Sequence, residues 1–252
     1  MAEVTVVIPS YNQGRFLHQA LESVFAQNVD MEVYVIDGGS TDNSVDVIKR
    51  WQHKLAGWQS RPDKGQADAI NQGVAKGAAP FVCWLNSDDL FMPEGLTTLL
   101  GKLKHSPSAP AVYGDCWHIT EAGQRHSRYL TLPFSPHLLA NYCFIGQPAT
   151  LIRRDAWQAV GGLDESLQMA MDFDLWWKLY RHGGCFVRTR ETCAANRMHA
   201  DTKTHNRLDE HYQESMQVVK NHYGRVPLKW YVLKPVMKLV RAIARYQYRR
   251  KK

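Results

Sequence analysis

The 252-residue chain has no C-x-x-C pair among its five cysteines. Cys83, Cys116, Cys143, Cys185 and Cys193 are scattered, three of them in apolar or aromatic surroundings, a pattern of reduced cytosolic thiols rather than a disulfide framework or a zinc site. Nowhere do about 18 apolar residues run uninterrupted, and the chain does not open on a basic segment followed by an apolar one. Neither a membrane span nor a secretory leader is therefore expected. G-x-G-x-x-G and G-x-x-x-x-G-K-S/T are also missing, so the dinucleotide fingerprint and the P-loop lack their mechanism. One more shortage is local: residues 225–252 hold no acid and ten Lys or Arg. Residues 1–224 then carry 21 basic against 24 acidic groups, although the whole chain stands at +7. The basicity belongs to the tail, and no nucleic acid partner is expected for the body.

What is present alternates strand with helix. Val4 to Ile8 is β-branched and nearly continuous, as expected of a central parallel strand, and Ser10 to Gly14 turns the chain into a helix burying Phe16, Leu17, Ala20, Leu21, Val24 and Phe25. Glu32 to Ile36 is a second strand, followed by Asp37-Gly38-Gly39-Ser40-Thr41-Asp42 and a helix with Val45, Ile48 and Trp51. A short strand at Trp58 to Arg61, a turn at Pro62-Asp63-Lys64-Gly65, a helix from Gln66 to Val74, a strand from Phe81 to Leu85 and a helix from Glu94 to Leu103 complete the first half. The pattern predicts an α/β fold with a Rossmann-like parallel sheet and helices on both faces.

The organising stretch is Phe81 to Asp89. A buried apolar strand stops at Asn86-Ser87-Asp88-Asp89, which puts two adjacent carboxylates where open α/β sheets bind ligands. Adjacent carboxylates repel, and a divalent metal with a phosphate-bearing substrate would compensate them. The plainer reading is a loop and an N-cap for a helix beginning near Pro93. Asp37 ends another strand and can accept hydrogen bonds from a base or sugar; its glycine-rich stretch can equally be a loop and helix cap. Four polar strand ends along one edge, at Pro9, Asp37, about Arg61 and Asn86, predict a nucleotide-sized crevice.

The second half is expected to supply the acceptor side. Ala111 to Thr120 and His126 to Leu132 predict antiparallel strands, with a kink or bulge at Gly114-Asp115. Gln147 either hydrogen-bonds a sugar or belongs to a G-x-P turn. In the helix starting near Met171, Asp172 and Trp176 share a face while Asp174 points elsewhere; a carboxylate there can also serve only the helix dipole. In the tail, Lys234, Lys238, Arg241 and Arg245 lie opposite Val236, Leu239, Val240 and Ile243. Such a helix can lie on an anionic bilayer or pack on its own domain.

V-V-I-P-S-Y-N at 6–12, V-I-D-G-G-S-T-D at 35–42, P-D-K-G-Q-A-D-A-I-N-Q-G at 62–73 and W-L-N-S-D-D at 84–89 together resemble the nucleotide-binding half of the inverting glycosyltransferases of family 2, which have a GT-A fold. The resemblance implies a nucleoside diphosphate sugar donor, most plausibly a UDP-sugar, with Pro9, Ser10, Tyr11 and Asp37 around the base and Asp63 and Lys64 also on the donor side. Asp88 and Asp89 would divide the ribose contact and a Mn²⁺ or Mg²⁺ ion between them. Asn86 stands where the family's D-x-D has its first Asp. Asp172 matches the family's catalytic base, whereas Met171 replaces the Glu before it. The segment Asn196 to Thr204 is similar to the family's R-x-H stretch, with His199 as a further metal ligand and Lys203 against phosphate. Gln147 and Trp176 fall to the acceptor, a glycan or lipid-linked glycan. The family's processive synthases carry Q-x-x-R-W and membrane spans; both are missing here, so limited sugar addition is expected. The expected organisation is a nucleotide-sugar half (1–105), an acceptor and catalytic half of the same domain (106–224) and the basic tail (225–252), in a cytoplasmic protein peripheral to the inner face of the membrane. A sugar nucleotidyltransferase and a non-catalytic nucleotide-sugar or glycan-binding module are the alternatives.

Overall fold

Every residue of β1 (Val4–Ser10) is buried because both faces of the strand are covered. Val4, Val6 and Ile8 pack with Leu17 and Leu21 of α1 (Gly14–Phe25), Ile48 of α2 (Ser44–Trp51) and Leu99 of α4 (Gly95–Lys104). Val7 points the other way, toward Ile70 and Val74 of α3 (Gln66–Lys76). A continuous apolar strand, rather than an alternating one, is what this two-sided burial requires. The computed structural model describes residues 1–200, 202–203 and 207–232.

β1 pairs in parallel with β2 (Met31–Asp37) and β4 (Phe81–Trp84), and β2 pairs in parallel with β3 (Gly57–Ser60). Register then decides the site. Ser10 lies opposite Asp37, and Asp37 opposite Ser60, so three strands deliver polar residues to one row. Beside them, Val7 opposes Trp84, the last residue of β4 before Asn86-Ser87-Asp88-Asp89.

Beyond β4 the sheet turns antiparallel. β8 (Thr150–Arg153) lies between β4 and β6 (Ala111–Ile119), β9 (Val187–Arg197) runs parallel to β6, and the two-residue β5 (Leu90–Phe91) closes the far edge against β9. The order is β3-β2-β1-β4-β8-β6-β9-β5, and β7 (Arg125–Arg128) adds to β6. The register of β6 on β9 shifts on both sides of Asp115, where a bulge was expected. A side chain at Gly114 would meet Cys193 Sγ at 2.6 Å, so only glycine lets the strands stay paired there. β7 is shorter than the expected His126–Leu132 strand. Tyr129 still donates its N–H to the Cys116 carbonyl, but Leu132 then turns its own carbonyl to the Tyr113 hydroxyl.

Three more helices cover the second face: α5 (Pro136–Asn141), α6 (Arg154–Ala159) and α7 (Met171–Gly183), with α8 (Leu208–Tyr223) packed on α7. Asp174 of α7 is buried and accepts from His222 Nε2 of α8 at 2.7 Å and from Lys178 Nζ at 2.8 Å, which fixes the pair of helices. The described start of the tail packs on the body: Trp230 is buried against Phe173 and Tyr212 and donates to the Ala140 carbonyl. Lys234, Lys238, Arg241 and Arg245, on which the membrane-surface expectation rests, lie outside the described residues. Among the described residues no helix is long and apolar enough to cross a membrane.

Candidate active site

The loops after β1 and β2 are stitched together. Asp42 accepts from Gly14 N–H with one oxygen and from Ser44 N–H with the other, both at 2.9 Å, while Asn12, at φ 52°, donates its N–H to Ser40 Oγ and accepts from Thr41 N–H on its Oδ1. A Cβ on Gly14 would reach 2.1 Å from Asn43 Oδ1, so this close approach needs glycine. Asp37 is fully buried, and its carboxylate accepts four bonds: from Gly39 N–H, Ser40 N–H, Ser40 Oγ and Ser60 Oγ, at 2.5 to 3.1 Å. Oδ2 takes three of these bonds and Oδ1 one, so Asp37 holds the loop after β2 in place. Pro9 and Ser10 are buried beside it, Ser10 Oγ without a hydrogen-bond partner, while Tyr11 stands 62% exposed at the rim.

Asn86-Ser87-Asp88-Asp89 does not cap a helix. α4 begins only at Gly95, its cap residue Glu94 makes no side-chain cap bond, and the two carboxylates diverge instead. Asp89 points inward, 0% exposed, and accepts from Arg197 N–H at 2.9 Å, Asn196 Nδ2 at 3.1 Å and Asn86 Nδ2 at 3.0 Å. Burial, with the charge of Asp88 beside it, pushes its carboxyl well above the usual carboxylate range against those three donors. Asp89 is thus corrected from candidate metal ligand to the anchor of the turn. Asp88 faces outward, and His199 Nε2 lies 2.9 Å from its Oδ2. The imidazole is buried against the Phe16 ring, and its Nδ1 faces the Arg15 guanidinium at 3.3 Å. Since an arginine only donates, Nδ1 is the acceptor and Nε2 carries the proton toward Asp88.

The candidate donor-side residues after β3 join this group. Asp63 lies against Gly38, where a Cβ would sit 2.9 Å from its Oδ2, and burial, with Asp68 and Asp37 nearby, raises its carboxyl. Lys64 reaches Glu165 at 3.6 Å and is largely exposed. Lys203 donates to Gln66 Oε1 at 3.2 Å, Gln66 Nε2 to Asn86 Oδ1 at 2.7 Å, and Asn86 Nδ2 to Gln147 Oε1 at 3.3 Å. Gln147 Nε2 ends the chain of bonds on the Trp84 carbonyl at 2.8 Å. Gln147 therefore orients Asn86. Gln66, Asn196 and Arg197 are members of the site to which sequence reasoning gave no role, although they lie within the motifs at 62–73 and 196–204; Asn86 stood out as a departure from D-x-D.

Asp172 sits in the first turn of α7, partly buried. Burial pushes its carboxyl up to about 6, opposed by the N–H groups of Phe173 and of Asp172 itself. Its charge raises the Tyr129 hydroxyl and the Cys143 thiol further, so it faces the wall that they form. Tyr129 donates to the Cys143 carbonyl, and Gly146 packs between Tyr129 and Cys116, whose thiol feels Asp89. This wall connects the carboxylates after β4 with the start of α7. The loop before α7 is held from outside: Glu214 of α8 accepts from the N–H groups of Gln168, Met169 and Ala170, at 2.7 to 3.1 Å. Trp176 is corrected. It is 0% exposed and stacks on Trp84 in the core, so it cannot touch an acceptor, although the helical spacing from Asp172 was read correctly.

No three His, Cys, Asp or Glu side chains converge as a metal cage among the described residues. Asp88 and His199 nevertheless form a two-donor set of oxygen and imidazole nitrogen, which suits Mg²⁺ or Mn²⁺ when phosphate oxygens supply the remaining ligands.

Residues 5–161 match the family model described as Glycosyl transferase family 2. The chain belongs to that family. Its relatives include the chondroitin synthase of Escherichia coli, 25% identical over 239 residues that make up 94% of this chain and 35% of that protein. An uncharacterised glycosyltransferase of Rickettsia prowazekii is 26% identical over 82% of this chain and 67% of its own length. The chain thus spans about a third of the chondroitin synthase it matches. Among solved structures, S. aureus TarS 1-349 in complex with UDP-GlcNAc superposes with a TM-score of 0.72 at 16% identity, over 87% of this chain and 66% of that one. The mannosyltransferase PcManGT from Pyrobaculum calidifontis, in complex with GDP-Man and Mn²⁺, gives 0.65 at 17% identity over 86% and 64%. These neighbours share the GT-A fold, a mixed sheet wrapped by helices, and the chain described here has the same architecture.

Proposed function

We propose that this family 2 glycosyltransferase moves a single sugar from a nucleotide-sugar, in the first instance a UDP-sugar, to a hydroxyl of a glycan or lipid-linked glycan with inversion. The observation that carries this reading is the family 2 match over residues 5–161, with Asp172 in the first turn of α7 as the candidate base and Asp88 on the turn after β4. A carboxylate near 6 is ionised at neutral pH yet far more basic than an ordinary Asp, as a general base requires. Asp172 takes the acceptor proton while the acceptor oxygen bonds to the anomeric carbon and the bond from that carbon to the nucleoside diphosphate breaks. One displacement inverts the carbon.

The nucleotide lies along the Ser10–Asp37–Ser60 row, with Tyr11 at its rim and the unpartnered Ser10 hydroxyl free to bond it. Asp88 and His199 would hold a divalent ion, whose contribution is to neutralise charge on the departing diphosphate. Lys64 and Lys203 lie on the same side and offset diphosphate charge. The GDP-Man and UDP-GlcNAc complexes of the fold neighbours support a nucleotide-sugar in this crevice.

The test is calorimetric binding and turnover of a panel of nucleotide sugars with Mn²⁺, comparing wild type with Asp88→Ala and Asp172→Asn. Metal-dependent nucleotide binding lost in the first and retained without turnover in the second is the expected result. Turnover that survives Asp172→Asn would remove the base role, and binding without turnover in wild type would make the chain a binding module.

A further inference from the structure

The body of the chain is slightly acidic in formal charge, yet one of its surfaces is not. All four residues of β7, Arg125, His126, Ser127 and Arg128, are exposed. Arg128 lies opposite Trp117 and Arg125 opposite Ile119 in the β6–β7 ladder. Their guanidinium carbons stand 4.9 and 5.3 Å from the centroid of the Trp117 ring. Neither arginine forms an ion pair among the described residues. Charged side chains do protect an edge strand from pairing with other chains, but that role asks for charge of either sign and for no aromatic ring between two guanidinium groups.

The hairpin is also tied to the candidate site at both ends. Its turn is held by Arg197, which donates from one guanidinium to the carbonyls of Glu121 (2.7 Å) and Asp88 (2.8 Å) and to Gln19 Oε1 (2.8 Å). Its other end runs into Tyr129, which feels the charge of Asp172. The basic and aromatic surface is therefore continuous with the wall between the two halves of the site.

We propose that the β6–β7 hairpin docks an anionic glycan acceptor, its carboxylate, sulfate or phosphate groups on Arg125 and Arg128, which the Trp117 ring holds in place. Planar guanidinium forks match such anions in two-point geometry, and contact with one aromatic ring limits the freedom that both forks lose on binding. A neutral acceptor would leave two desolvated cations without partners, so the surface selects for acidic chains. The inference deepens the transferase reading and rests on it.

The probe is a fluorescent oligogalacturonate, titrated into the full chain at low and moderate salt and compared with a neutral maltohexaose; UDP binding with Mn²⁺ is measured in parallel. The variant is Arg125→Glu/Arg128→Glu, at exposed positions that burden the fold least. The expected result is salt-sensitive oligogalacturonate binding that weakens about tenfold or more in the variant, with UDP affinity unchanged. The basic tail is common to both proteins, so the difference belongs to the hairpin. Equal binding by wild type and variant, equal binding of the neutral oligosaccharide, or loss in the variant only of binding to phosphatidylglycerol vesicles would each overturn the proposal; the last would make the hairpin a lipid contact. Loss of UDP binding in wild type would instead strike the transferase reading, whatever the oligosaccharide does.

Discussion

Asp37 and Asp88 stand at the same edge of one sheet, two strands apart, and their surroundings give them opposite capacities. Around Asp37, the loop after β2 supplies three donors and Ser60 at the end of β3 a fourth, and the carboxylate is fully buried. Around Asp88, the neighbouring Asp89 receives the internal donors, and Asp88 keeps a single histidine and an open side. A carboxylate at a strand end is thus a candidate for ligand chemistry only when the fold has not already satisfied it. Asp172 belongs with Asp88: its oxygens meet little more than the N–H groups of its own helix turn.

Four substitutions test this division, in falling order of expected effect. Asp172→Asn removes the base and should lower turnover about 100- to 10,000-fold with donor affinity unchanged, read by steady-state kinetics and calorimetry. The same substitution should stabilise the protein at pH 8. The folded pKa of Asp172 is raised from 3.8 to about 6, so its contribution to stability is complete below the unfolded pKa and is lost as pH rises through about 6. An uncharged amide escapes that loss, and a gain of about 1–3 kcal/mol in urea unfolding is expected at pH 8 and almost none at pH 4. Asp88→Ala should weaken metal-dependent nucleotide binding roughly 10- to 100-fold while leaving the unfolding midpoint nearly in place.

Asp37→Ala should do the reverse. It strands two N–H groups and two hydroxyls in a buried loop and should cost about 2–3 kcal/mol of stability; a variant as stable as wild type would erase the distinction. The smallest effect belongs to Glu214→Gln, which retains one carbonyl oxygen for the three N–H groups before α7. Asp172 should then be less well positioned, with kcat about 3- to 10-fold lower and donor KM unchanged. In wild type, kcat/KM should rise with pH and level off above about 6, where Asp172 is ionised.

The sheet was legible because its strands state their own burial. Apart from Thr5, Val4 to Ile8 and Phe81 to Leu85 are apolar on both faces, and Ser10 and Asp37, which end β1 and β2, fall in register. Asp88 and Asp172 were legible as candidates by residue type and position. Trp176 was misjudged for a physical reason: helical spacing gives a shared face, but not whether that face meets solvent or the Trp84 ring. Gln66, Asn86, Asn196 and Arg197 fell within recognised motifs, yet Gln66, Asn196 and Arg197 were given no role, because a neutral amide or a buried arginine shows its part only once its partners, 137 residues away in the case of Gln66 and Lys203, are in place.

The sequence by itself determined the alternation of strand and helix, the polar strand ends and the kinds of chemical group at the site, because burial periodicity and turn chemistry are local. The tertiary structure alone decided which carboxylates are satisfied and which are open. Hydrogen-bond donors reach Asp89 from β9, more than a hundred residues away, Ser60 of β3 completes the local bonds to Asp37, and burial that no single segment encodes raises the Asp172 carboxyl.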